Sequence, residues 1–151
     1  MNSNIYKIVF NHSIEELNKE YDRLSDYEQE RISELDAITY FDYIENDNYH
    51  FYVVTSPNEI KKYLEILENN LIIFQFEDIT YDVLTHKLDL ESELLSKVNK
   101  DNNIKWDFFM EDIKEWLLNN LEIDVILDRI SEVGIDNLTT IEKTFLNNFK
   151  L

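Results

Sequence analysis

Cysteine is absent, and glycine, proline and alanine occur once each, at Gly134, Pro57 and Ala37. Without cysteine the chain has no disulfide, no thiolate metal site and no thiol nucleophile. A single glycine excludes the glycine-rich phosphate loops, so neither a Walker A pattern nor a dinucleotide fingerprint is present. There is no G-x-S-x-G elbow. The three histidines, His12, His50 and His86, are isolated, with no H-E-x-x-H pair. No run of about 18 apolar residues exists, which excludes a membrane-spanning helix. The N-terminal MNSNIYKIVF lacks the basic region and long apolar stretch of a signal peptide. A cytoplasmic protein with no cofactor is the expectation.

Basic residues are the other scarcity. Fourteen Lys+Arg stand against 32 Asp+Glu, a formal charge of −18 on 151 residues. An acidic disordered tail would lack aromatics, yet here 44% of residues are hydrophobic and 13% aromatic. A folded body with a strongly negative exterior follows. Such a surface repels nucleic acid, anionic membranes and acidic substrates, and attracts basic protein partners.

The pattern of the first half alternates strand and helix. Ile5–Phe10 (IYKIVF) is apolar and β-branched, a strand. Ser13 and Glu16 have capping-box spacing, and Ile14, Leu17, Tyr21 and Leu24 follow at the helical period. Ser25 and Glu28 repeat the box, so the helix breaks and restarts to about Leu35. Ala37–Glu45 and Tyr49–Thr55 read as a hairpin around Asn46-Asp47-Asn48. Ser56-Pro57-Asn58-Glu59 opens a helix, with Ser as cap, Pro at the first helical position and Glu closing the box. That helix runs to about Glu68, and Leu71–Ile79 is the fourth strand. The order β-α-β-β-α-β predicts an α+β fold of the ferredoxin-like type, an antiparallel sheet with two helices on one face. Helices are expected over Leu90–Val98, Trp106–Asn119, Glu122–Val133 and Thr140–Asn148. Residues 1–86 would form the α+β unit and 87–151 a helical extension, with a hinge at Asp101-Asn102-Asn103.

Period-2 reading makes both sheet faces apolar. The second strand sets Thr39, Phe41 and Tyr43 against Ile38, Tyr40 and Ile44. One face packs on the two crossover helices. The other needs a cover, and Trp106, Phe109 and Trp116 are the nearest supply. The alternative cover is a partner chain. The strand order also invites comparison with RNA-recognition sheets, with Tyr49, Phe51 and Tyr52 as base-stacking candidates. The basic residues that would hold phosphate are missing, so core aromatics are the better reading.

Between Ile14 and His50 stand twelve acids and three bases, net −9, half the charge of the chain in 37 residues. Duplex DNA carries one negative charge per ~1.7 Å of its axis, and a row of helical carboxylates imitates that field. The expected function is therefore non-enzymatic. The chain would bind and inhibit a basic nucleic-acid-handling protein, a nuclease or CRISPR effector, as a nucleic-acid mimic of the anti-CRISPR or anti-restriction kind. Candidate contacts are Glu16, Glu20, Glu30, Glu34, Asp42 and Asp47. The alternatives are an immunity protein for a cognate toxin, a self-associating scaffold, or a metal-dependent hydrolase. The last would use Asp124 and Asp128, spaced i,i+4, or the hairpin acids Asp42, Glu45 and Asp47. The hairpin acids lack calcium-loop spacing.

Near the C-terminus, Leu127-Asp128, Ile130, Gly134, Leu138-Thr139, Glu142 and Phe145-Leu146 lie within Ile123–Phe149. This stretch resembles a short helix–turn–helix segment in the tails of some Bacteroidota proteins, certain rhomboid-family members among them. The resemblance covers 27 of 151 residues and implies no activity. It implies a Bacteroidota or associated-phage origin. Its physics is that of a helical hairpin: glycine ends one helix, Thr139 and Glu142 cap the next, and Leu127, Ile130, Leu138, Phe145 and Leu146 are expected to face inward.

Overall fold

The computed structural model describes residues 2–149. The chain begins β1 (Asn4–Phe10), α1 (Ile14–Arg23), α2 (Asp26–Ser33), β2 (Ala37–Glu45), β3 (Asn48–Thr55), α3 (Pro57–Asn69) and β4 (Phe74–Asp78). It continues with α4 (Thr80–Leu84), α5 (Leu90–Leu94), α6 (Asn103–Asn120), α7 (Ile123–Val133) and α8 (Thr140–Asn148). The strands form one antiparallel sheet in the order β2-β3-β1-β4, an α+β architecture.

Local chemistry fixes the element ends. Ser13, Ser25 and Thr139 each accept from the backbone N–H three residues on, and Glu16, Glu28 and Glu142 reach back to the cap N–H, three complete capping boxes. At α3 the box is half made. Ser56 accepts from the Glu59 N–H, but the Glu59 carboxylate turns away and accepts from the Asp36 N–H at 3.3 Å. Asn46 and Asp47 both have positive φ, 54° and 63°, as a two-residue type I′ hairpin turn requires. The returning strand therefore starts at Asn48, pairing Glu45.

Several boundaries differ from the sequence expectation. The fourth strand covers Phe74–Asp78 and not Leu71–Ile79. Leu71 sits at φ 57° just after α3, where a left-handed residue ends the helix and throws its side chain into solvent. Leu90–Val98 is a single short helix to Leu94 followed by a 3-10 turn. Helix α4 was not foreseen, since five residues are too few to show a period. It is anchored by Thr80, whose hydroxyl accepts from the Ile5 N–H at 2.9 Å. Asn103, placed in the expected hinge, is the first residue of α6.

The core lies on both sides of the sheet. One face carries Tyr6, Ile8, Phe10, Phe51 and Val53, closed by Ile60 and Leu67 of α3, with Leu17 of α1 half-buried beside them. The other carries Ile5, Phe41, Tyr52 and Val54, closed by Val83, Leu90 and Leu94 and by Trp106, Phe109, Met110, Ile113 and Trp116 of α6. The chain's own C-terminal helices thus cover the second face. Phe41 meets the Trp106 ring edge-on at 5.1 Å, and the Trp116 indole N–H donates to the Ser3 carbonyl at 3.1 Å. At about 1.5–3 kcal/mol per buried large side chain, the five buried residues of α6 contribute on the order of 10 kcal/mol.

Helices α7 and α8 close a third cluster around Ile126, Leu121 and Leu138, with Ile130, Phe145 and Leu146 packed against it; Leu127, expected to face inward, is exposed, because its neighbour Ile126 takes the inward position on α7. Gly134 ends α7 at φ 82°, ψ 155°, a region essentially restricted to glycine, and its N–H caps Ile130 at 2.9 Å. Arg129 and Glu142 tie the two helices together at 3.1 Å, both nearly buried.

Candidate protein-binding surface

The acidic stretch folds into α1 and α2, joined by a break at Leu24. Among the described residues neither helix contains a buried side chain; Leu24, at the break, is the buried one. Leu17 is half-buried, while Ile14 and Tyr21 remain substantially exposed. An apolar cleft of about 210 Å³ persists beneath the pair, walled by Leu17, Tyr21, Ile32, Tyr49, Tyr63 and Ile72. The cleft is open to solvent, so the apolar contact between this cover and the sheet is incomplete. Two bonds hold the hairpin: Gln29 donates to the Tyr21 carbonyl at 2.8 Å, and Asn70, just past the end of α3, donates to Glu28 at 2.7 Å.

The outward faces present carboxylates. Glu15, Asp22, Asp26, Glu30 and Glu34 are all exposed and make no ion pair among the described residues. Six carboxylates pair at all among those residues, so most of the charge is uncompensated. The structure separates the six residues singled out from sequence. Glu16 is the reciprocal member of the α1 capping box. A hydrogen bond from His12, together with those from Ser13, draws its carboxyl below the usual carboxylate range. Glu20 bonds Arg23 at 3.0 Å. Glu30 and Glu34 stand free on α2. Asp47 is exposed in the hairpin turn, at the far end of β2.

Asp42 is committed elsewhere. One oxygen accepts from the Tyr49 hydroxyl at 2.5 Å and the other from the Lys105 ammonium at 2.8 Å. Burial, reinforced by that bond to Asp42, pushes the Tyr49 phenol above its usual range. For Lys105, burial opposes the charge, but the bond to Asp42 outweighs it and raises the ammonium. Asp42 is thus a brace between the hairpin and α6. Sequence reasoning omitted Glu15, Asp22 and Asp26 from the candidates. The signals that would have ranked them above Glu16 and Glu20 were visible, since Ser13-x-x-Glu16 is a cap and Glu20-x-x-Arg23 is an i,i+3 pair.

Other chemistry finds no foothold among the described residues. Tyr49, Phe51 and Tyr52 lie under the helices of both faces, Phe51 and Tyr52 buried, so they form no base-stacking platform. No group of three or more His, Asp or Glu is placed to hold a metal ion. A cleft of about 460 Å³ has an apolar floor of Val83, Met110, Ile113 and Leu117. Two of its polar groups serve as a cap: the Ser92 hydroxyl donates to Asp89 at 3.0 Å, and Asp89 caps α5. Among the described residues no helix is long and apolar enough to cross a membrane. Comparison with protein-family models, curated proteins and solved structures returns no match.

Proposed function

We propose that this chain is a non-enzymatic, cytoplasmic binder that docks the carboxylates of α1 and α2 on the basic groove of a nucleic-acid-handling protein and inhibits it. The observation that carries the reading is the composition of that hairpin. It contributes no buried side chain within either helix, yet it concentrates five exposed carboxylates that are unpaired among the described residues. A sheet cover needs apolar area, not uncompensated charge, which destabilises the compact state through self-repulsion. Carboxylates spaced along a helical surface offer a basic groove the field it meets on a nucleic-acid backbone. Contact residues are Glu15, Asp22, Asp26, Glu30 and Glu34, with Glu16 and Glu20 at their flank and Asp47 outside the patch. The scaffold that displays them is of the ferredoxin-like split βαβ kind, a reading supported by the strand order and by three antiparallel pairings.

The test is a paired capture from host lysate. Wild-type protein and a Glu15/Asp22/Asp26/Glu30/Glu34→Lys variant are immobilised side by side and eluted with duplex DNA. A basic protein held by wild type, absent from the variant and released by DNA supports the reading. Identical retention on both, or retention indifferent to DNA, overturns it.

A further inference from the structure

The β1–β4 ladder ends on a side chain. Beyond Phe10 and Phe74 the two strands meet once more, where the Asn11 N–H donates to the Ile73 carbonyl at 3.1 Å. A hydrogen-bonded antiparallel pair normally exchanges two bonds. Here the return bond goes elsewhere: the Ile73 N–H donates to Nε2 of His12 at 3.0 Å. The other ring nitrogen, Nδ1, lies 3.3 Å from Oε2 of Glu16. A neutral imidazole has one donor and one acceptor nitrogen. The Ile73 N–H makes Nε2 the acceptor, so the ring proton is assigned to Nδ1 and is given to Glu16. The opposite tautomer would set one N–H against another and a lone pair against a carboxylate.

The ring stands at a junction. Its backbone joins β1 to α1, and its bond reaches the connection from α3 to β4. That connection turns tightly: the Asn70 N–H donates to the Ile66 carbonyl, Leu71 takes φ 57°, and the Ile72 N–H donates to the Leu67 carbonyl. It also receives the second tie of the acidic hairpin, from Asn70 to Glu28. Leu71 and Ile73 are 87% and 59% exposed, so apolar burial does little to hold them and the bonds matter more. The His12 side chain is 16% exposed, shielded yet within reach of solvent protons. Among the described residues Glu16 is the one charged group paired with it. Asn11, Ser13 and the segment Leu71–Phe76 are uncharged, and Lys7 of β1, Glu15 and Lys19 of α1, Glu28 of α2 and Glu68 of α3 make no ion pair with the ring.

We propose that His12 is a proton-operated latch between the β1–α1 turn and the α3–β4 connection. The neutral ring closes the end of the ladder. A proton added at Nε2 takes up the lone pair that the Ile73 N–H uses and sets two N–H groups face to face. The same proton turns the Nδ1 contact with Glu16 into a charge-assisted bond. One event thus releases the α3–β4 connection and tightens the first turn of α1. Because one bond is lost as another strengthens, the opening is local to Ile73. The far end of the same strand pair, where the Ile79 N–H donates to the Ile5 carbonyl at 3.0 Å, stays closed. The latch lies beside the helices that carry the proposed partner surface, yet it does not rest on that reading, and its test needs no partner.

Nuclear magnetic resonance of the ¹⁵N-labelled chain tests this. At about pH 8 the imidazole spectrum is expected to show His12 with its proton on Nδ1. Amide exchange, corrected for the intrinsic effect of pH on its rate, is then followed at Ile73 and Ile79. Between about pH 8 and about pH 5, the span over which imidazoles change charge, protection of Ile73 relative to Ile79 is expected to fall about tenfold, the scale of one hydrogen bond. Taking the ratio removes any change in global stability. His12→Gln supplies an amide oxygen in place of Nε2 and is expected to hold the ratio constant with pH. His12→Leu has no acceptor and is expected to give a low ratio at both pH values. His50 and His86 remain in both variants, so an effect that belonged to either would persist there. A proton on Nε2 at about pH 8, a wild-type ratio indifferent to pH, or a ratio that still falls with acid in His12→Leu overturns the proposal. Melting curves confirm that both variants are folded.

Discussion

The two covers of the sheet are built from different material. Helix α6 lays five buried side chains, two of them tryptophans, on one face. Helices α1 and α2 shield the other with a half-buried Leu17, a buried Leu24 and a residual cleft, and turn carboxylates outward. Both are helical sheet covers, yet one is dominated by apolar burial and the other by unpaired charge. The difference teaches that the sheet's apolar burial comes mainly from the C-terminal helices and α3, with little from the first crossover.

The comparison can be broken from the heavy side first. Phe109→Ala or Trp116→Ala removes a core aromatic and is expected to cost about 3–5 kcal/mol, measured by urea unfolding. A cost below about 1 kcal/mol would mean that α6 is not the structural cover, since surface-like substitutions fall in that range. Arg129→Met comes next. It leaves Glu142 buried without its partner and is expected to cost about 3 kcal/mol, with hydrogen exchange rising first in α8. On the light side, Ser13→Ala and Ser25→Ala each remove a cap and are expected to cost about 1 kcal/mol. Five-site charge reversal on α1 and α2 is the smallest net perturbation: relief of self-repulsion is offset by lysine in the first helical turns at Glu15 and Asp26, so the melting temperature is expected to stay close to that of wild type.

Acid sharpens the comparison along another axis. His50 stacks on Tyr43 at 4.6 Å with its Nδ1 buried and unpartnered among the described residues. Burial, and then Lys7 nearby, hold its imidazole below the ordinary 6.5. The unfolded chain thus takes up the proton first, so stability declines as pH falls below about 6.5. Glu142 adds a second decline. Burial works against its charge, but Arg129 and the Thr139 N–H outweigh that and draw the carboxyl below 4.5, so its contribution is present above 4.5 and lost on further acidification. His50→Phe keeps the stack and is expected to flatten the first decline while leaving the second. An unchanged profile in denaturant melts between pH 7 and 5 would remove His50 from the account.

Much of this was legible in the amino-acid order. Ser-x-x-Glu and Thr-x-x-Glu spacings placed three capping boxes, and Asn46-Asp47 placed the hairpin, because those devices act within four residues. The aromatic supply for the second face was legible too, since Trp106, Phe109 and Trp116 follow a helical period. What failed was decided at a distance. The fourth strand shortened because only Phe74–Asp78 pairs with β1, and the apolar run Leu71-Ile72-Ile73 carries no mark of where that pairing starts. Glu59 left its box for a backbone N–H 23 residues away. Asp42 looked like one more surface acid, and only the approach of Lys105 across 63 residues makes it a brace.

The division of labour between the two covers has one most direct test, a titration of the captured basic protein with wild type and with the five-site α1–α2 variant at matched ionic strength. The account predicts binding weaker by at least about a hundredfold in a variant that melts like wild type, because charge complementarity would be the attraction lost. Affinity within about twofold of wild type, well under the 1.4 kcal/mol of a tenfold change, would contradict it.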